Sequence, residues 1–277
     1  MSPASFEKRR QDLAAHAETT GAEMNPENAL SIDLRGRVAL VTGGASGIGF
    51  ACARLLARNG ASTVIADRNF AGAEQARHGI ATVGGDAMAL AVEISDSKSV
   101  QAMVDGTVAR FGHIDMLVHC AGVSPRRTVV DMSDDEWHRV IAINLDGTMY
   151  ATRAVARAML PNRAGTMVLI ASDRGLLGQS AKSAYAASKG GVIAFAKSLA
   201  LELGSFGITV NALNPGTTDT PLVRAEMPPA LWEQRVKADP LGRLSEPDEI
   251  AEIVLFLAGA AGRYMTGQLI TTRMRSA

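Results

Sequence analysis

The sequence predicts an α/β protein built on a parallel sheet with helices on both faces. From residue 37 onward, short apolar segments rich in Val, Ile and Leu alternate with longer, more mixed segments. Continuous apolar runs are typical of strands that are buried on both faces, and their alternation with helices indicates parallel crossovers. A glycine-rich turn follows the first run, as in doubly wound sheets. We therefore predict a single-domain, doubly wound, Rossmann-type sheet of about seven strands.

The order of the elements follows from this alternation. Strands are predicted at 38–42, 62–66, 87–92, 114–119, 166–171, 208–213 and 268–272, and helices between them, the two longest over about 134–159 and 183–204. Residues 1–34 are polar and Ala-rich, which predicts a flexible N-terminal extension with a short helix around 6–17; a subunit clasp is the alternative. Residues 35–277 are assigned to the domain, with a substrate lid at about 218–240, where apolar and Pro residues cluster.

The composition narrows the possible function classes. The 277 residues carry no formal net charge, which argues against a nucleic-acid partner. No apolar run approaches the length of a membrane span, and the first residues do not form a secretory signal. The two cysteines, Cys52 and Cys120, stand in apolar contexts typical of reduced thiols, so we expect a cytoplasmic protein. The five histidines show no metal-ligand spacing, and we expect no metal.

The first strand is followed by Thr-Gly-Gly-Ala-Ser-Gly-Ile-Gly at 42–49. Glycines at 43, 47 and 49 allow a sharp turn and a close approach of the backbone to a pyrophosphate. The helix that begins near Ile48 would direct its free N–H groups at that phosphate. This is the mechanism of the dinucleotide fingerprint with altered glycine spacing, and no Gly-Lys-Ser/Thr follows as in a P-loop.

The second apolar segment ends at Asp67, about twenty residues beyond the glycines. A carboxylate at this spacing can accept hydrogen bonds from the hydroxyls of an adenosine ribose and repels a 2′-phosphate. The sequence therefore favours NAD(H). Arg68 follows directly and carries the charge that a 2′-phosphate would need, so NADP(H) is the alternative.

A possible catalytic group lies in Ser-Ala-Tyr-Ala-Ala-Ser-Lys at 183–189. Tyr185 and Lys189 are four residues apart and share one face of a helix. A nearby ammonium favours the phenolate, which would lower the pKa of Tyr185 towards that of an effective general acid/base. Ser172 would hold the substrate oxygen. Asn144, within a predicted helix, either positions a water beside Lys189 or is an ordinary exposed residue.

Together these motifs resemble the short-chain dehydrogenase/reductase family over about residues 36–268. The resemblance implies that Tyr185 exchanges a proton with the substrate while hydride moves to or from the nicotinamide, with Ser172, Lys189 and Asn144 as its catalytic partners. It also implies a homotetramer or homodimer. The cofactor contacts implied by the resemblance, with those indicated above, are Gly43, Ser46, Gly47, Ile48, Gly49, Asp67, Arg68, Glu93, Ile94, Cys120, Ala121, Gly122, Tyr185, Lys189, Pro215, Gly216, Thr218 and Thr220.

Three features depart from the family pattern. His119-Cys120 stands where two asparagines usually follow the fourth strand, and the first of those asparagines ties neighbouring strands together. Glu93 replaces an aspartate that usually meets the adenine. The final strand runs into Arg273-Met274-Arg275 instead of Val-Asp-Gly, which puts the C-terminal subunit contacts in doubt.

The resulting expectation is an NAD(H)-dependent oxidoreductase that interconverts a secondary alcohol and a ketone. Substrate contacts are expected from 123–127, 173–179 and 220–239, where charged residues suggest a small polyol, sugar or hydroxy acid unless those charges face solvent. An NADPH-dependent 3-oxoacyl-carrier-protein reductase is one alternative. A non-catalytic, nucleotide-binding regulatory protein on the same scaffold is the other.

Overall fold

All seven strands of the sheet are parallel in the computed structural model, which describes residues 32–82 and 84–272. The order across the sheet is β3-β2-β1-β4-β5-β6-β7. The strands are β1 (Val38–Thr42), β2 (Ser62–Asp67), β3 (Ala87–Ala91), β4 (Met116–His119), β5 (Gly165–Ile170), β6 (Ile208–Asn214) and β7 (Leu269–Thr271). The predicted fold is confirmed, and each predicted strand agrees within two residues at either end.

The direction in which successive strands are added to the sheet reverses between β1 and β4, because β2 and β3 lie on one side and β5 to β7 on the other. The helices that make the crossovers are α1 (Gly47–Arg58), α2 (Phe70–Ala81), α3 (Ser97–Phe111), α4 (Asp134–Ile141), α5 (Gly147–Met159), α6 (Arg174–Leu177), α7 (Ser183–Leu203), α8 (Pro221–Glu226), α9 (Pro229–Lys237) and α10 (Pro247–Ala258). In such sheets the crevice outside the carboxyl ends at the reversal point binds the ligand.

Alternate residues of each central strand enter two separate cores, one on each face. In β1, Leu40 packs with α3, α5 and α7, whereas Ala39 and Val41 pack with α1, α2 and α10. In β5, Leu169 and Val168 divide in the same way. This period of two, with both faces apolar, is the reason that the strands appear in the sequence as continuous apolar runs.

The long helix predicted over 134–159 is interrupted. A π-helical turn at Ala142–Asp146 separates α4 from α5 and contains Asn144. Single π-helical turns within α-helices occur frequently at functional sites, where they redirect a side chain. The predicted helix over 183–204 is present as α7.

Some predictions concern residues outside the described ranges. These are the N-terminal extension up to residue 31, its short helix, and the C-terminal Arg273, Met274 and Arg275. Within the described part of the chain, none of the helices has the length and apolar character needed to cross a bilayer.

Candidate active site

A cavity of about 350 Å³ opens at the carboxyl ends of the strands, at the reversal point between β1 and β4. All eighteen residues predicted to contact the cofactor line it, as do Ser172 and several apolar side chains. Asn144 does not line this cavity. The structure therefore brings the glycine-rich turn, the end of β2 and the tyrosine–lysine pair to a single site.

The glycine-rich turn forms one wall of the cavity. Gly47 has φ +54°, a left-handed conformation that favours glycine. At Gly49, an added Cβ would lie 2.2 Å from the carbonyl oxygen of Gly43. No side chain caps the first turn of α1, which leaves its N–H groups available to a phosphate. These residues fit a dinucleotide.

We expect Gly49→Ala to destabilise the turn because the new methyl group would displace the backbone at Gly43. The expected loss is about 1–3 kcal/mol in the free energy of unfolding, with weaker NADH binding. Gly79→Ala on α2 is the matched control, because nothing lies within 4 Å of an added Cβ there. It should stabilise the protein by roughly 0.5–1 kcal/mol. Urea denaturation and NADH fluorescence measure both variants, and an undisturbed Gly49→Ala protein would contradict the close approach.

Asp67 ends β2 beside this turn. Its Oδ2 accepts a hydrogen bond from the backbone N–H of Ala45 at 3.2 Å, and its Oδ1 accepts one from the N–H of Asn69 at 2.9 Å. The carboxylate is therefore held at the edge of the cavity by the backbone. Arg68 also lines the cavity and is exposed. Both charges considered from the sequence thus face the same space.

Ser172 and Tyr185 meet on the opposite wall. Ser172 follows β5, and its Oγ accepts the N–H of Arg174 at 3.2 Å and donates to Asp173 at 3.3 Å. Burial raises the pKa of Tyr185 above its usual value, while the hydrogen bond with Ser172 opposes this shift. The residues of the chain alone therefore favour the neutral phenol, in contrast to the expectation that Lys189 would dominate.

Lys189 lies one turn further along α7. Its side chain is only 5% exposed, and its Nζ donates to the carbonyl oxygen of Ile170 at 2.6 Å. The Nζ atom is 6.0 Å from the centroid of the Tyr185 ring. Burial lowers the pKa of Lys189 to about 8. The ammonium thus lies at the wall of the cavity and donates to the Ile170 backbone oxygen.

Asn144 is 1% exposed, which excludes the interpretation that it is an ordinary surface residue. Its Oδ1 accepts the N–H of Val123 at 2.8 Å, and its Nδ2 donates to the carbonyl of Val123 and to Ser188 Oγ. Asn144 therefore connects the loop after β4 to α7, one residue from Lys189. In this arrangement its direct partners are the backbone and a serine rather than Lys189.

His119 occupies the last position of β4 and is 2% exposed. Its Nδ1 is 2.9 Å from Oγ1 of Thr42, its register partner on β1. Burial, together with the positive charge of Lys189, lowers the pKa of His119 to about 3. Among the described residues, its Nε2 has no hydrogen-bond partner. The histidine is neutral at physiological pH and connects the two central strands.

Comparisons with known proteins agree with this site. A family model described as enoyl-(acyl carrier protein) reductase matches residues 43–272. The cis-4-hydroxycyclohexanecarboxylate dehydrogenase of Sinomonas cyclohexanicum is 38% identical over 235 residues, which cover 84% of this chain and 94% of the relative. The chain belongs to the short-chain dehydrogenase/reductase family. It is therefore an NAD(P)-dependent oxidoreductase.

Other members of the family have a comparable sequence identity to this chain. The 3-oxoacyl-[acyl-carrier-protein] reductase FabG of Thermotoga maritima is 35% identical, with 86% of this chain and 96% of the relative covered. The crystal structure of gox2181 superimposes with a TM-score of 0.84 at 38% identity, and covers 86% of this chain and 95% of that one. The predicted family resemblance is confirmed.

Two of the three departures from the family pattern lie within the described residues. At the first, the His119 imidazole makes a strand-to-strand bond to Thr42, the kind of tie expected of the family's asparagine. At the second, Glu93 lines the cavity while its Oε1 accepts hydrogen bonds from the N–H and hydroxyl of Ser95. The longer carboxylate is thus fixed by its own loop.

Several cavity-lining residues were not singled out from the sequence as cofactor or substrate contacts. They are apolar residues at strand ends or in the π-helical turn: Val92, Ile143, Ile170 and Ala171. Their side chains carry no chemical signal, and only the topology brings them together.

A second cavity, of about 100 Å³, shares the walls formed by Ser172, Tyr185, Gly216 and Val223 with the first. Of the charged residues expected near a substrate, Arg126, Asp173 and Arg174 line it. Arg127 does not line it, because its guanidinium pairs with Glu136 at 2.9 Å on the surface.

Proposed function

We propose that this protein is an NAD(H)-dependent oxidoreductase that interconverts a small polar secondary alcohol and the corresponding ketone. The observation that carries the proposal is the half-buried Tyr185 phenol, which meets the Ser172 hydroxyl on the wall shared by the two cavities. One cavity suits a dinucleotide and the other a small substrate. The phenol stands where both would meet.

The proposed proton transfer follows from these contacts. Ser172 turns its hydroxyl proton from Asp173 to the substrate oxygen. In reduction the Tyr185 phenol gives its proton to the substrate oxygen and becomes the phenolate, and in oxidation the phenolate takes up the hydroxyl proton of the substrate. Lys189 supplies positive charge beside the phenolate that forms. A bound nicotinamide cofactor supplies the hydride acceptor or donor. Glycines 43, 47 and 49 and the first turn of α1 would hold its pyrophosphate.

Asp67 supports NAD(H) over NADP(H), because its backbone-held carboxylate would lie against an adenosine ribose. We expect Asp67→Asn to lower the ratio of kcat/KM with NAD⁺ to that with NADP⁺ by about tenfold or more, since the amide keeps one of the two acceptor oxygens and loses the repelling charge. Asp105→Asn, on the exposed surface of α3, is the matched control. A wild-type protein that prefers NADP⁺, or a ratio unaffected by Asp67→Asn, would contradict the assignment.

A 3-oxoacyl-carrier-protein reductase is the second candidate, because curated relatives at 35–37% identity carry that name. Assays of the full chain with an acetoacetyl thioester and with a panel of polyols, sugars and hydroxy acids separate the two candidates. Turnover of the thioester alone, with NADPH, would favour the reductase. Binding of NADH without turnover of any probe would favour a regulatory protein.

We also propose a cytoplasmic homo-oligomer. Cys52 and Cys120 are both free thiols, which supports a reducing compartment. Leu201 on α7 and Phe206 just beyond it are exposed, and exposed apolar side chains on neighbouring positions favour subunit contact. Light scattering of the full chain measures the assembly, and a monomer at micromolar concentration would contradict this part of the proposal.

A further inference from the structure

Lys182 is a second ammonium beside the tyrosine, and the family motif does not include it. It immediately precedes α7, and its side chain is 6% exposed. Its Nζ lies 5.7 Å from the centroid of the Tyr185 ring, and it lines the smaller cavity. A cation this close to the reacting phenol and this well buried is unusual unless it has an anionic partner.

The partners of Lys182 fill its three donor positions. Its Nζ contacts the carbonyl oxygen of Ser124, the hydroxyl of Ser124 at 2.6 Å, and the carboxylate of Glu226. Burial lowers the pKa of Lys182, and Glu226 opposes that shift. Two of the three contacts come from the loop after β4, which Asn144 fixes to α7, so the ammonium has a defined position.

Glu226 differs from Ser124 because it belongs to the predicted lid. It is the last residue of the short helix α8, and its side chain is 26% exposed, against 6% for Lys182. A carboxylate on a short surface helix can turn into water at modest cost. A buried lysine that lost its carboxylate without a replacement would be strongly unfavourable. The site is therefore built to hold one carboxylate at all times, and the lid provides one.

The remaining charges of the smaller cavity also favour an anion. Four cationic residues line it, namely Arg126, Arg174, Lys182 and Arg235, against the two acidic residues Asp173 and Glu226. Asp173 is already engaged by Ser172 Oγ and by Arg174, whose Nε is 3.4 Å away. If Glu226 moves out, the lining retains four positive charges and one negative charge.

We propose that the smaller cavity binds a carboxylate of the substrate, and that Lys182 is the residue that selects it by exchanging Glu226 for the substrate group. The inference rests on the proposed alcohol–ketone chemistry at Tyr185 and makes it more specific. The substrate class is a small hydroxy acid and its keto acid, in which the carboxylate lies on the Lys182 side of the reacting carbon. An uncharged alcohol of the same shape carries no carboxylate to replace Glu226, so Glu226 would stay paired with Lys182.

Substitution of Lys182 and substitution of Glu226 are expected to change the preference for a carboxylate substrate in opposite directions. The probes are 4-hydroxycyclohexanecarboxylate and 3-hydroxybutyrate, each compared with its own methyl ester, on the full chain with NAD⁺. The measured quantity is the acid-to-ester ratio of kcat/KM, because any change at Tyr185 itself affects both probes and cancels. Lys182→Met should lower this ratio about ten- to a hundredfold. Glu226→Gln should raise it severalfold, because it removes the internal competitor.

Matched controls come from the same lid. Glu233→Gln and Lys237→Met change the same charges on α9, and both residues are exposed and do not line the cavity. They should leave the ratio unchanged. A wild-type ratio at or below one, or a fall of the ratio in Glu226→Gln, would overturn the carboxylate site while leaving the alcohol–ketone chemistry in place.

A binding measurement decides the case in which neither acid nor ester reacts. The NADH complex of the wild type and of Lys182→Met is titrated with each carboxylate and followed by NADH fluorescence. Binding that is lost in Lys182→Met would support the carboxylate site even though the proposed reaction had failed. Equal binding, or none in either protein, would overturn it.

Discussion

Replacement of Tyr185 by Phe is expected to lower kcat for both oxidation and reduction by about a hundred- to ten-thousandfold, the usual contribution of a positioned general acid/base. The ring would remain against Ser172 and the shared cavity wall, but no oxygen would be left to exchange the proton. Because the rest of the cavity is unchanged, the dissociation constant for NADH should change by less than about threefold, which is under 1 kcal/mol. Stopped-flow turnover and NADH fluorescence measure the two quantities separately.

The control for this variant is Tyr150→Phe. Tyr150 is a half-buried tyrosine on α5 that packs beside Arg153 and does not line either cavity. It should retain wild-type turnover and wild-type NADH affinity. Full activity in Tyr185→Phe would refute the proposed proton route. A joint loss of activity and NADH binding would instead indicate that the phenol mainly supports the cofactor cavity.

The sequence predicts the framework of the site well because that framework depends on local signals. Buried parallel strands must be apolar on both faces, so β1 and β5 stand out as continuous runs. The helical spacing of Tyr185 and Lys189 places them on one face in any helix. The glycine turn requires residues without a Cβ, as the 2.2 Å separation at Gly49 shows. Each of these constraints acts within a few residues of the chain.

The features that were missed depend on distant parts of the chain. The π-helical turn at Asn144 is stabilised by the backbone of Val123 and by Ser188, neither of which is close to it in sequence. Lys182 meets its carboxylate 44 residues away, in the lid. The pKa of Tyr185 is governed by its burial, which helical spacing does not reveal. The sequence identifies such groups, and only the fold shows their partners.

The second large effect is expected from substitution of Lys189, which should lower the activity and stabilise the protein by removing a buried charge. Burial lowers the pKa of Lys189 from 10.5 to about 8. At pH 7 the native state therefore carries a buried charge that destabilises it by about 3 kcal/mol relative to the unfolded chain. Lys189→Met removes this cost and the positive charge together. We expect turnover to fall at least about a hundredfold, while removal of the buried charge adds to the free energy of unfolding at pH 7.

The pH dependence gives this prediction a definite sign. Between pH 8 and about 10.5 the unfolded chain binds the Lys189 proton and the native protein does not, so the stability of the wild type should rise with pH relative to Lys189→Met. The difference between the two proteins should therefore shift by about 3 kcal/mol in favour of the wild type across that window. The hydrogen bond to Ile170 that the variant loses adds a constant offset and does not alter the slope.

Urea denaturation of both proteins at pH 7, 8, 9 and 10.5 measures this shift directly, because groups common to both proteins cancel in the difference. Lys197→Met is the control on the same helix, since Lys197 is exposed and its variant should show no such slope. A flat difference between wild type and Lys189→Met would mean that the native ammonium keeps its ordinary pKa. The charge beside Tyr185 would then be hydrated rather than buried, and its assigned role in stabilising the phenolate would fail.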